Sequence, residues 1–326
     1  MDVVIQRETL IKARRYVRSI PLLWPAYGIY WHVRSWYEAN KNYPATESLL
    51  DFGNYPEPDL DSPVSQLCTS NQLISRPYRR WCREMHSPAR FSRKQWEFVY
   101  ILRVLQLAGM LNPGKTGLGF GCGREPLAGL LAKHGCKILA TDLEQGRALE
   151  QGWVNTMQHA SGLDELYACA AEFVSHRKFF ERVAYRSTDM NNIPDDLYGK
   201  FDFVWSACAL EHLGSLRHGM DFIRNSARCL KKGGVAIHTT EFNLSSNDAT
   251  CEEPACSVYR ARDMEQLIGE LEAEGYQVSP LNLNTGDGKV DRYIDIPPYG
   301  FSPHIKILLS GYVVTSIGLI VRRPAR

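Results

Sequence analysis

Residues 116–142 read TGLGFGCGREPLAGLLAKHGCKILATD, and the fold follows from that order. Gly117 to Phe120 is a short apolar run that reads as a buried strand. Gly119, Gly121 and Gly123 then stand at alternate positions, so the backbone can approach a ligand that a Cβ would push away. A helical pattern starts at Arg124. Pro126 is tolerated in a first turn, Leu127, Leu130 and Leu131 share a face, and Gly135 is placed to end it. Such a helix aims free N–H groups and the positive end of its dipole back at the glycine turn. A second strand, Lys137 to Thr141, finishes on Asp142. That is about 20 residues beyond the turn, where a carboxylate can accept hydrogen bonds from ribose hydroxyls.

Outward from this unit the alternation of strand and helix continues. Val183 to Ser187 reads as a third strand and ends in Thr188-Asp189-Met190. Phe201 to Ser206 (FDFVWS) is a fourth and runs directly into ACALEHL. A helix from Leu216 to Leu230 comes next. Lys231, Lys232, Gly233 and Gly234 close it with charge and turn residues suited to a helix C-terminus. Val235 to Thr240 is a fifth strand, Arg262 to Gly275 a helix with Met264, Leu267, Ile268 and Leu271 on one face, Val278 to Leu283 a sixth strand, and Tyr312 to Val321 a last one. Between Asp142 and the third strand, residues 144–173 read as helical with a break at Ser161-Gly162, and Phe173 to Phe180 as a basic turn.

A dinucleotide fingerprint is G-x-G-x-x-G/A. Counted from Gly119, its third small residue would fall on Arg124, and the run here is G-x-G-x-G. This resembles motif I of the class I S-adenosylmethionine-dependent methyltransferases. F-D-x-V followed by E-H-L resembles their motif IV, and LKKGGVAIHT resembles the glycine turn before their fifth strand. The resemblance covers about residues 110–326. It implies an α/β fold, a Rossmann-like seven-stranded mixed sheet flanked by helices, with S-adenosylmethionine as cofactor. It assigns the donor site to Gly119, Phe120, Gly121, Gly123 and Arg124, to Asp142 with Leu143, to Asp189 with Met190, and to Ser206. In that assignment Asp189 accepts from the adenine amine and Met190 packs on the ring. Arg124 either meets the donor's carboxylate or makes a surface salt bridge. The chain as a whole is also similar to bacterial methyltransferases encoded beside glycan-assembly genes.

The remaining chain is expected to divide at residue 95. Residues 96–326 form the methyltransferase domain, and residues 1–95 a helical and loop extension serving as a lid or an oligomer contact. Up to about residue 40 the extension is basic and aromatic, with Arg14, Arg15, Arg18 and Arg34 among Trp24, Tyr27, Tyr30, Trp31, Trp36 and Tyr37. Membrane contact is expected nowhere else, and Pro21 and Pro25 interrupt an amphipathic helix even there. Residues 42–66 are a loop rich in proline, glycine and acid. Trp96, Val99, Tyr100, Arg103, Val104 and Leu107 then fall at helical spacing, and Arg90 to Glu97 is either a cover for the cofactor or plain packing. A net charge of +2 is too small to indicate a nucleic-acid partner. Nine scattered cysteines without C-x-x-C argue against a zinc site or disulfide framework and for the cytoplasm. Ile307 to Val321 is uncharged but too short to span a bilayer.

Methyl transfer to a hydroxyl requires that the hydroxyl lose its proton. The carboxyl ends of the fourth and fifth strands offer Glu211, His212, His238 and Glu241. His212 lies in the motif and titrates near neutrality, which makes it the candidate base, with Glu211 or Glu241 orienting it or the acceptor. His304 and Asp291 in the long loop 284–306 are weaker candidates. Tyr293, Tyr299 and Phe301 in that loop could stack on a sugar ring. Small-RNA 2′-O-methyltransferases carry E-x-x-E-H and bind a divalent ion there. Here the first acid is replaced by Cys208 and the paired histidines are missing, so no metal is expected. The expected acceptor is a sugar, a glycan or another small molecule. A nicotinamide-dependent oxidoreductase and a non-catalytic cofactor-binding module remain as alternatives.

Overall fold

The computed structural model describes Val33 and residues 49–325 except Met157 and Phe301. The basic-aromatic reading of residues 1–40 otherwise lies outside them, as does the stacking role for Phe301. One 11-stranded sheet carries the fold. Its long members are β2 (Thr116–Phe120), β3 (Lys137–Asp142), β4 (Val183–Ser187), β5 (Phe201–Ala207), β6 (Leu230–Asn243) and β13 (Tyr312–Arg322). They lie in the order β13-β6-β5-β2-β3-β4, parallel except for β13, which runs antiparallel to β6. The order reverses between β2 and β5, and ligands bind outside the strand ends at such a switch point.

Shorter strands complete the sheet: β1 (Ser65–Leu67), β9 (Gln277–Val278), β10 (Leu281–Asn282), β11 (Ile294–Asp295) and β12 (Lys306–Leu309). A separate hairpin joins β7 (Glu252–Glu253) to β8 (Cys256–Ser257). The single sixth strand expected at Val278–Leu283 is therefore corrected to two short ones. Pro280, between them, has no N–H to give a ladder. β9 pairs with the end of β13, while β10 pairs with β1, and β1 takes the place beside β13 through Gln66↔Gly318 and Leu67↔Ile317.

Helix Arg93–Leu107 crosses this sheet, and the residue 95/96 boundary falls inside it. Ser92 caps it by accepting from Gln95 N. Trp96, Val99, Tyr100 and Val104 are buried as their spacing demands, whereas Leu107 is 51% exposed. The fit is close: a Cβ on Gly318 of β13 would stand 2.1 Å from the Tyr100 ring. On the opposite layer, helix Leu216–Arg228 buries Met220, Phe222 and Ile223, and helix Ala261–Ala273 buries Met264, Leu267 and Leu271. Both sheet faces are thus covered by apolar clusters.

Other boundaries shift for local reasons. After the glycine turn the helix is Leu127–Lys133, because Pro126 stands as its cap. β6 is 14 residues long and carries Glu241, Phe242 and Asn243, all buried, so the polar stretch read from residue 241 begins inside the sheet. Residues 145–168 hold two short helices, Gln145–Glu150 and Leu163–Ala168, with turn structure between them. The basic turn read at 173–180 contains a helix, His176–Phe180, capped by Ser175. Among the described residues, no helix is long and apolar enough to cross a membrane.

Candidate functional site

The glycine turn leaves β2 in the left-handed region, with φ of +55° at Gly121 and +48° at Gly123. A Cβ on Gly123 would stand 2.3 Å from the carbonyl oxygen of Gln158, and one on Gly121 would stand 2.8 Å from the Cβ of Ala209. Either side chain would displace a wall of the cleft. Gly119 faces the other way, packed under Trp205. Phe120 is core, edge-on to Phe222 at 5.3 Å.

Asp142 closes the turn from β3. Its Oδ2 accepts from Gly123 N at 3.0 Å and Ala160 N at 3.2 Å, and its Oδ1 accepts from Leu143 N at 2.8 Å. Burial raises its pKa, and these N–H groups oppose the rise. A carboxylate has about four acceptor positions, so capacity remains for a ribose hydroxyl. After β4, Asp189 accepts from Asn191 N at 2.9 Å and from Arg147 Nη1 at 2.6 Å. Met190 lies against Gly121. The Thr188 hydroxyl, beside them, is buried without a hydrogen-bond partner among the described residues.

These groups line one cleft of about 260 Å³, which runs from Gly121, Gly123, Asp142, Leu143, Asp189 and Met190 to Cys208, His212 and Pro254. Trp153, Gln158 and His159 form its outer wall. His159 is tied to Leu143 O at 2.8 Å, and Trp153 reaches across to the His212 ring, centroids 4.5 Å apart. Sequence reading missed this wall by treating residues 144–160 as helix. Its tryptophan and histidine, lying between two glycines, were the available signal.

Besides Gly119 and Phe120, two further residues assigned to the donor lie outside the cleft lining. Arg124 pairs with Glu165 at 2.5 Å and donates to His159 O at 3.3 Å, so its guanidinium takes the salt-bridge alternative and is not part of the cleft lining. Ser206 is inside the sheet, 2.8 Å from His238 Nδ1. His238 meets Ser226 Oγ with its other nitrogen at 3.1 Å, and burial pushes its pKa down to about 3. Bonded on both sides, His238 is a neutral core residue and not a base.

Beside Cys208 and His212 the cleft meets a charged network. Glu211 is 0% exposed. Its Oε2 accepts from Thr240 Oγ1 at 3.1 Å, and its Oε1 has no hydrogen-bond partner among the described residues. Burial raises its pKa. His212 Nδ1 meets the Ala255 carbonyl at 2.6 Å, and its Nε2 stands 3.9 Å from Glu211 Oε1. A carbonyl only accepts, so Nδ1 carries a proton, and in the neutral ring Nε2 keeps a lone pair. Glu241 pairs with Arg93 Nη2 at 2.5 Å. Burial opposes its charge, but Arg93, with His212 and Lys94, outweighs burial and holds the carboxyl below its usual range. Glu97 anchors the same group, 3.5 Å from Arg93 and 3.2 Å from Lys94.

Cys208, Glu211 and Glu241 bring three donor atoms within 4.8 Å of one another. Arg93 already supplies a cation to that group, with Nη1 3.7 Å from the Cys208 sulfur as well. The thiol donates to Glu97 at 3.0 Å, and burial pushes its pKa up. A divalent ion would have to displace a guanidinium and a thiol proton, so the donor set does not fit one well.

A glycine turn, an acid after each of the next two strands and a cleft at the switch point define a class I nucleoside-binding methyltransferase fold. The chain matches the methyltransferase-domain family over residues 93–278, more than half its length, and belongs to that family. It is an S-adenosylmethionine-dependent methyltransferase. Among solved structures it is similar to magnesium protoporphyrin IX methyltransferase from Synechocystis with bound SAH, at 14% identity and TM-score 0.41, covering 77% of this chain and 97% of that one. A similar S-adenosylmethionine-dependent methyltransferase from Clostridium acetobutylicum has 13% identity and TM-score 0.40, covering 71% and 91%. The cyclase SpnF has 23% identity and TM-score 0.39, covering 54% of this chain and 57% of that one. Likeness at this level says nothing about the acceptor. No curated protein matches the chain.

Proposed function

We propose that the chain methylates a hydroxyl of a sugar, a glycan or another small molecule, with His212 as the base. The observation that carries this reading is the fixed tautomer of His212: Nδ1 is committed to Ala255 O, leaving Nε2 as an acceptor in the cleft. The residues present fit S-adenosylmethionine: Gly121 and Gly123 let the turn pack so closely on Ala209 and Gln158 that a Cβ would displace the cleft wall, Asp142 keeps an acceptor position, and the Thr188 hydroxyl has no partner among the described residues. When bound, the cofactor supplies an electrophilic methyl group on a sulfonium. Asp142 would hold the ribose, with Asp189 and Met190 at the adenine.

The protein's own work is to position, exclude water and take a proton. His212 Nε2 receives the acceptor's proton. Glu211, buried with one oxygen unpaired, lies 3.9 Å away and favours the imidazolium that forms. Trp153 packs its ring against that of His212, centroids 4.5 Å apart. Arg93 keeps Glu241 ionised, and that carboxylate is available to orient the acceptor. Nine free cysteines are in keeping with a reducing compartment such as the cytoplasm, and the modest net charge with a non-nucleic acceptor.

The test is methyl-donor turnover against nucleotide sugars, lipid-linked glycans and small phenols. Hydroxyl methylation that falls steeply in His212→Ala supports the reading. Turnover only on amines, or an undiminished rate in that variant, overturns it.

A further inference from the structure

The segment between β10 and β12 carries a second histidine dyad outside the donor cleft. Asp295, 2% exposed, meets His304 Nδ1 at 2.6 Å and accepts from Gly300 N through both oxygens, at 3.1 and 3.0 Å. The carboxylate only accepts, so Nδ1 carries the proton and Nε2 presents a lone pair. No described residue bonds to Nε2. Burial lowers the His304 pKa against the pull of Asp295, which favours the neutral ring.

The dyad is built into the site rather than hung beside it. His304 N donates to Phe91 O at 2.7 Å, and its carbonyl accepts from Arg93 N at 2.9 Å. The side chain of the same Arg93 holds Glu241. Glu241 in turn acts electrostatically on both His212 and His304, so the Arg93–Glu241 pair is shared between the two histidines. Tyr299 stands edge-on to His304 at 5.6 Å, with its hydroxyl pinned to Leu308 O at 2.7 Å and its side chain 41% exposed. The segment is anchored further by Asp291, which accepts from Ser70 N at 2.8 Å, and by Lys306, which donates to Asp291 O at 2.6 Å. A neutral acceptor nitrogen beside a fixed, open aromatic ring is the chemistry that reads a polyhydroxylated ring: the nitrogen takes an O–H, and the aromatic face takes the C–H side.

We propose that His304, oriented by Asp295 and flanked by Tyr299, forms a hydroxyl-reading subsite for a carbohydrate acceptor. This rests on the reading of the acceptor as a sugar or glycan. His304 and Tyr299 touch the ligand, and Asp295 is a positioning residue that acts through the imidazole.

The experiment uses the full chain saturated with S-adenosylhomocysteine. Imidazole 15N signals are followed while free glucose, galactose, mannose or rhamnose is added. The expected result is a saturable shift of the His304 Nε2 signal by at least one of these sugars, with the His159 signal unmoved. The apparent affinity should fall about tenfold in Tyr299→Ala and stay within about threefold in Tyr299→Phe. Asp295→Asn should weaken binding about tenfold and move the tautomer-sensitive 15N shifts of His304 even without sugar, which a merely structural role would not do. A His304 signal that none of the four sugars moves, in protein that binds S-adenosylhomocysteine normally, overturns the subsite. Sugar binding that is retained while no hydroxyl is methylated sinks the acceptor reading above and leaves the subsite standing.

Discussion

At the donor end of the cleft, Gly121, Asp142 and Asp189 hang from the ends of β2, β3 and β4, which follow one another in the chain. At the acceptor end, Arg93 meets Glu241 across 148 positions of sequence, and His304 joins them from the far side of the long loop. The first end is made largely of backbone: a positive-φ turn, N–H groups on a carboxylate, and missing Cβ atoms. The second is made of charged side chains that matter only through one another. A site of the first kind leaves a local motif, and a site of the second kind leaves scattered letters.

That contrast accounts for what could be read beforehand. The main parallel strands in their chain succession and the carboxyl-edge acids were legible because each rests on a few adjacent residues with one conformational solution. Arg124 lies in the turn before the helix and pairs with Glu165, 41 positions further on, which no local spacing announces. Ser206 and His238 bond each other because β5 and β6 put them side by side at Ser206↔His238, a register no single strand announces. Trp153 was passed over because the turn between two short helices keeps a helical composition, although its place between two glycines was a signal. Lys94 and Glu97 carry helical spacing, and nothing in it says that one end of the helix lies over a site.

The sharpest way to break the comparison is His212→Ala. It should lower kcat by about 10²- to 10⁴-fold and leave S-adenosylhomocysteine affinity within about twofold, measured by stopped turnover and calorimetry. Loss of donor binding would mean that the two ends are not separable. Next comes Gly123→Ala. The left-handed φ costs roughly 1–2 kcal/mol, and the collision with Gln158 O adds to it. Donor affinity should fall about 100-fold, and the melting temperature by several degrees.

Two buried groups give the comparison opposite pH signatures. Glu125, just after the glycine turn, has its pKa raised by burial to about 8. The folded state therefore holds its proton through a window where the unfolded state has lost it, and stability falls as pH rises from the ordinary carboxyl range to about 8. His238 has its pKa lowered to about 3. There the unfolded state binds the extra proton, so stability falls as pH drops from the ordinary imidazole range toward 3. Each slope is about 1.4 kcal/mol per pH unit. Denaturant melts across pH should show Glu125→Gln flattening the alkaline side alone and His238→Asn the acid side alone.

The smallest effect belongs to Arg147→Gln. Its ion pair with Asp189 is half-exposed and worth about 0.2–1 kcal/mol. Because Arg147 occupies the carboxylate assigned to the adenine amine, its removal should tighten donor binding by up to about fivefold and reduce the salt dependence of that binding. Weaker binding would show instead that the guanidinium itself holds the nucleoside.

The seating of β1 between β13 and β10 has a practical consequence. A fragment cut to residues 93–278 would lose β13, leaving β6 as a bare edge. One begun at residue 93 would keep β13 but strip its partner, leaving the Ser316 carbonyl and the edge at Gly318 without their β1 partners and the hollow once filled by Tyr78 and Trp81 open to water. Raw edges of that kind recruit other chains, so gene designs that trim the protein to its recognisable portion should give aggregates, and expression should start well upstream of Ser65.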